Sequence, residues 1–517
     1  MILVWLLACS CDEGCGDTGG STSDDTDTPP PVDDTAGDTA PDTSRGETGD
    51  ASGDSTTDSG DSGDTGVPLP VDRLAGSATS ADADVRLLGT VGGAEAGWTV
   101  RGVGDVDGDG FADLLVGAHQ DGRGGQAAGA AYLVLGPASS GELGEPVLLG
   151  DHSRSYLGST VDAAGDVDGD GRPDLLVGAP EAHLHNGIAT SYGPGEVLVF
   201  TTPFAGQQLA GDAQHSWRGE QEGARLGIGL GGVGDVDGDG LDDLVMGAPV
   251  AGANAEGAAF LVLGSERDLP LSEAHRGWEG TAVGQQLGCD ADGAEDLNGD
   301  GYADLWIGSD ADEAGLVGRA YGLYGGPSLA ASGPIAPDVE LEGVHADDTA
   351  GSTVLGADLD ADGVGDVVVN AYDLHEGAAG GAAFVNHGPL SGYRALADSD
   401  AIVYGRDAET HGAEATGIAG DLDRDGFLDL VFGTHTYVDG FGAAATGQAF
   451  VFYGPLSGEH AMDDAAWVAT GASEGEQHGW ATTGVGDIDG DGVDDLATSA
   501  WKNSDSEGNG GAVYLWY

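Results

Sequence analysis

Seven copies of one acidic nonapeptide set the limits on what this chain can fold into. The first, Asp105–Asp113, reads DVDGDGFAD, and the others begin at Asp166, Asp235, Asp296, Asp358, Asp421 and Asp487. Their starts lie 61 to 69 residues apart. Every copy has Asp or Asn at positions 1, 3, 5 and 9, and Gly at position 6.

That spacing suits a hard divalent cation. Calcium takes six to eight oxygens; residues 1, 3 and 5 of a tight loop point inward, and position 7 offers its backbone carbonyl. Gly at position 6 permits the sharp turn. No Glu stands at position 12, so the Asp at position 9 is expected to close the shell. The expected ligands are Asp105, Asp107, Asp109, Phe111 and Asp113 in copy one, and Asp166, Asp168, Asp170, Arg172 and Asp174 in copy two. Copy three offers Asp235, Asp237, Asp239, Leu241 and Asp243, and copy four Asp296, Asn298, Asp300, Tyr302 and Asp304. Copy five offers Asp358, Asp360, Asp362, Val364 and Asp366. Copy six offers Asp421, Asp423, Asp425, Phe427 and Asp429, and copy seven Asp487, Asp489, Asp491, Val493 and Asp495. A hydrophobic run follows the first loop at once (Leu114-Leu115-Val116), so the loop feeds a strand rather than a helix.

A repeat of this length accommodates four strands and their connections. Copy one predicts strands over 97–104, 113–118, 130–136 and 147–150. Gly is 97 of 517 residues, which favours many short strands and turns. These residues resemble the FG-GAP repeat of the integrin α-subunit propeller and its bacterial relatives. The match is carried by the Gly before the Asp loop (Gly97, Gly158, Gly227, Gly288, Gly479) and by the ends Gly178-Ala179-Pro180 and Gly247-Ala248-Pro249. The resemblance implies an all-β, seven-bladed β-propeller of four-stranded blades over residues 74–517. It also implies calcium between the first two strands of each blade, up to seven ions. Ala350 and Ala413 replace the aligned Gly in copies five and six, Asn370 stands in a GAP position, and copy four has Asn298 for Asp. Those blades are expected to hold calcium more weakly. The orphan segment 84–89 (DVRLLG) is expected to supply blade seven's fourth strand and close the ring.

Residues 1–9 (MILVWLLAC) resemble a bacterial lipoprotein signal, which would place a lipid on Cys9; the bland alternative is an ordinary signal peptide. Residues 10–73 are Asp, Thr, Ser, Gly and Pro with almost nothing to bury, a disordered tether. This places the propeller outside the cytoplasm, on an outer membrane or cell surface, touching the membrane only through the lipid; secretion is the alternative. A net charge of -74 repels nucleic acid. GASEG at 471–475 has the G-x-S-x-G form but no helix behind it.

The loops on the face opposite the aspartates carry His183, His185, Tyr192, Tyr156, His411, His478 and Trp480. Aromatic area and hydrogen-bonding imidazoles suit a recognition surface for a protein or glycan. The expected function is a monomeric binding or adhesion module with no catalytic residue. The alternative is a propeller enzyme, a glycan lyase or hydrolase, with a His/Tyr/carboxylate site on that face.

Overall fold

Each nonapeptide is followed by a strand that is buried on both faces. Asp113–Ala118 (DLLVGA) is buried at all six positions, and Asp174–Ala179, Asp243–Ala248, Asp304–Ser309, Asp429–Thr434 and Asp495–Ala500 repeat this. A strand with two apolar faces needs a neighbour on each side, and a ring of sheets supplies both. The computed structural model describes residues 74–517 except 182–192, 204–205, 268–269, 312–314, 347, 377–378, 407–411, 435–445 and 506–507. Cys9, the signal-like segment and the tether lie outside the described residues.

Seven sheets follow one another along the chain, one per nonapeptide. In blade one the innermost strand Thr99–Gly104 pairs with Asp113–Ala118, then Ala130–Val134, then Leu148–Leu149, all antiparallel. The innermost strands touch in cyclic order, and that of blade seven, Thr482–Gly486, returns to Thr99–Gly104. The core is correspondingly divided into seven main apolar clusters, one per seam between blades. Alternation along one strand feeds two of them. Leu114 and Val116 pack towards blade seven, while Leu115 packs towards blade two. The expected closure is present: Val85–Leu88 lies antiparallel to Ala512–Trp516, with Val85 opposite Leu515 and Leu88 opposite Ala512.

Three features depart from the reading of four-stranded, equivalent blades. First, among the described residues six of the seven sheets carry a fifth, outermost strand that runs parallel and comes from the following blade. Gln208–Leu209 of blade two caps blade one, Gly392–Ala395 of blade five caps blade four, and Gly458–Ala461 of blade six caps blade five. The segment before the closing strand does the same, since Gly76–Thr79 caps blade six. Edge hydrogen-bonding groups are thereby covered by a neighbour.

Second, the residue equivalent to Gly97 in blade five is Gly351, not Ala350. Gly351 has φ +86° and its N–H donates to Asn370 O, as Gly97 N–H donates to Gly117 O. The one-residue offset has a physical cause. The other six blades bulge before the loop, as between Gly102 and Gly104, whereas Val354–Ala357 pairs with its neighbour without interruption. Blade five lacks the bulge residue.

Third, the Gly of the GAP segment is fixed by a close approach. A Cβ on Gly117 would stand 2.2 Å from the carbonyl oxygen of Gly158 in the next blade. Asn370 occupies this place in blade five, opposite Ala413. Its Nδ2 donates to Ala413 O and pairs with Thr416 Oγ1, so a polar bridge replaces the bare backbone contact.

Candidate functional site

The seven loops share one hydrogen-bond pattern, built around the first Asp. In blade one, Asp105 Oδ1 accepts from Gly108 N at 2.7 Å and Asp109 N at 3.0 Å, and Oδ2 accepts from Gly110 N at 2.8 Å. Asp107 Oδ1 accepts from Asp109 N, and Asp109 Oδ1 accepts from Phe111 N. The position-9 carboxylate is fully buried and ties the loop to the sheet: Asp113 Oδ2 accepts from Val106 N and Oδ1 from Gly136 N. The same arrangement surrounds Asp235 and Asp243 in blade three, and blade six repeats it around Asp421 and Asp429 through the N–H groups of positions 5 and 6. Position 4 takes positive φ in every blade, as Gly in five copies and as Ala361 and Arg424 in copies five and six.

Carboxylates converge where the spacing predicts. Asp105, Asp107 and Asp113 each bring an oxygen within 4.8 Å of the others, and so do Asp166, Asp168 and Asp174. Asp235, Asp237 and Asp239 form such a group, as do Asp358, Asp360 and Asp362. Burial raises the carboxyl of Asp113 to about 6 and those of Asp174, Asp243, Asp304, Asp429 and Asp495 to about 7, and the neighbouring loop aspartates push the same way. Packed like charges with oxygen-only donors fit a hard cation, which would relieve both burdens. The position-7 residues Phe111, Arg172, Leu241, Val364, Phe427 and Val493 each turn their N–H onto the position-5 carboxylate, as does Tyr302 in blade four. In copy four Asn298 supplies an amide oxygen where the others have carboxylate, beside Asp296 and Asp300.

The loops are also joined to one another. Ala112 N donates to Asp487 O, Asp242 N to Asp166 O, Ala303 N to Asp235 O and Gly365 N to Asp296 O. Each of these bonds runs from position 8 of one loop to position 1 of the preceding loop.

One participant was not anticipated. His387 sets its Nδ1 3.1 Å from Asp366 Oδ2 and 3.7 Å from Asp360 Oδ2, and these three side chains form a further convergent group. The hydrogen bond to Asp366 holds the imidazole up to about 9. The signal was the position just after a third strand, which the repeat pattern left undefined.

The opposite face differs from expectation. His478 is 0% exposed and Trp480 1% exposed, so neither presents a contact surface. Burial drives His478 and the equally sunken His119 down to about 3. Trp480 belongs to an aromatic knot at the seam of blades seven and one. Its ring centroid lies 4.7 Å from Trp98 and 5.0 Å from Trp501, and its Nε1 donates to Trp98 O. Tyr156 is half-buried and lies 5.8 Å from His119. His183, His185, Tyr192 and His411 lie outside the described residues. A cavity of about 630 Å³ opens among the loops of blade three, lined by Glu220, Gln221, Glu256, Phe260 and Glu279, with no histidine among the described residues of its wall.

Comparison with known proteins agrees with this architecture. The family described as FG-GAP repeat matches residues 96–134, 157–200 and 230–262. Integrin alpha pat-2 of Caenorhabditis briggsae is 29% identical over 260 residues, covering 47% of this chain and 20% of that protein. Integrin alpha-IIb of Homo sapiens is 33% identical over 165 residues, covering 31% and 15%. Integrin alpha-PS5 of Drosophila melanogaster is 35% identical over 182 residues, covering 34% and 17%. The alignments thus span a fifth or less of these relatives. The chain is a seven-bladed β-propeller whose first three blades match the FG-GAP repeat, and it is similar to the integrin alpha chains. No helix among the described residues is long and apolar enough to cross a membrane.

Proposed function

We propose that this chain is a calcium-stabilised propeller, held outside the cytoplasm by a lipid on Cys9, that binds a protein or glycan through the face opposite its aspartate loops. The observation that carries the calcium reading is the recurrence of one loop geometry with convergent carboxylates. Four carboxylates about 5 Å apart repel by roughly 0.8 kcal/mol per pair in water-like dielectric, and a bound dication removes that cost. Likeness to integrin alpha chains supports adhesion-type binding rather than catalysis. The burial of His478 and Trp480 removes those two side chains from any histidine–aromatic centre that the enzyme alternative would need on that face.

The test is a screen of the purified chain against glycans and envelope proteins, with and without calcium. Saturable, calcium-dependent capture of one ligand supports the reading. Turnover of a glycan without stable capture would transfer the chain to the enzyme class. Metabolic labelling with a fatty acid, lost in Cys9→Ser, tests the anchor separately.

A further inference from the structure

Blade five differs from the other six at one position of the metal loop's wall. The residue that follows the third strand is Leu135, Thr201, Leu263, Tyr324, Tyr453 and Tyr517 in the other blades, and His387 here. Only this side chain offers a ring nitrogen. Its Nδ1 faces Asp366 and Asp360, both of the blade-five loop. Its Nε2 lies 3.2 Å from the carbonyl oxygen of Leu456, in the neighbouring blade. A carbonyl accepts but cannot donate, so Nε2 carries a hydrogen whatever the state of the ring; Nδ1 faces the carboxylates, where a bound cation would take the place of the Nδ1 hydrogen that Asp366 accepts. An imidazole whose far N–H is fixed by a backbone carbonyl is the usual support of a metal-ligating histidine. Asp360 also belongs to the convergent group Asp358, Asp360 and Asp362. Oxygen and nitrogen donors therefore meet at a shared carboxylate.

We propose that blade five holds a borderline divalent transition ion, zinc being the probe, through His387 Nδ1, Asp360 and Asp366, while the all-oxygen loops hold calcium. Hard calcium gains little from imidazole, whereas ions of the zinc class favour it. The proposal rests on the reading of the aspartate loops as metal cages, and the two are separable by experiment.

The untagged full chain is stripped of metal, returned to about 1 mM calcium to fill the oxygen loops, and titrated with cobalt(II). The expected result is one tight equivalent with a visible d–d band, displaced by zinc and weakened at least about tenfold in His387→Asn. Absence of cobalt binding in calcium, or unchanged binding by His387→Asn, overturns the proposal. Zinc-edge X-ray absorption on the unmutated chain needs no folded variant: imidazole scattering at about 2.0 Å supports it and an all-oxygen shell overturns it. Calcium-dependent melting of the same sample reports the cage reading on its own. A normal calcium response without cobalt binding rejects the transition-ion site alone.

Discussion

The two faces of the propeller follow different rules. On the aspartate face the first carboxylate accepts from the position-6 glycine N–H in every blade, and adjacent loops are bonded to each other. On the other face a shared backbone contact at the strand entries carries differing side chains: blades seven and one fuse through Trp98, Trp480 and Trp501, while blade three opens a cavity. A repeat whose backbone is fixed by its own side chains tolerates little drift. A loop that only joins finished strands tolerates much, and there recognition can be built.

The sharpest way to break this contrast is chelation. With a site affinity of about 0.1 mM and about 1 mM calcium, each loop gains about 1.4 kcal/mol, and seven give roughly 10. Melting in EDTA should therefore fall steeply; an unchanged melt would reduce the aspartate face to decoration. Trp480→Ala comes next, at about 3–5 kcal/mol, because it empties the knot at the closing seam. Denaturant titration in calcium measures it. Asp235→Ala should lose about 2–4 kcal/mol by removing the acceptor of three loop N–H groups.

Asp292, near the ring's centre beside Arg101 and Asp162, sharpens the comparison through pH. Burial holds its carboxyl above the usual range. The folded chain therefore keeps a proton that the unfolded chain releases, so this group's contribution is present near pH 4 and is lost as pH rises. Asp292→Asn should melt about one to two degrees above the unmutated chain in mildly alkaline buffer, with the gap closing near pH 4. The smallest effect belongs to the irregular face: exposed His375→Ala should stay within about 0.5 kcal/mol. A loss there equal to that of Asp235→Ala would erase the distinction between faces.

Much of the aspartate face was legible because its chemistry is local. Asp at 1, 3, 5 and 9 with Gly at 6 dictates a loop without reference to anything distant, and the orphan 84–89 had to pair somewhere. The fifth strands were hidden for the opposite reason. Segments such as Gly141–Glu142 and Gly458–Ala461 are short, polar and exposed, and become strands only because a neighbouring blade presents an edge. Gly351 was displaced by one place because the missing bulge residue is invisible without pairing partners. His478 and Trp480 lie among turn residues in the sequence, yet the isolated bridge from His478 to Gly447 and the indole stack draw them inside. His387 carried no periodic signal; only the fold brings it to Asp366.

The clasp of Val85–Leu88 on Ala512–Trp516 has a mechanical consequence. It is the blade in which the two ends of the ring are joined without a covalent link, through four opposed residue pairs and the packing of Val85 and Leu87 with Val513 and Leu515. Tension arriving from the N-terminal side loads Gly76–Thr79 first and this clasp second. Peeling both would unlatch the circle while six sheets kept their own inner strands, so the propeller has a built-in place to yield under pull.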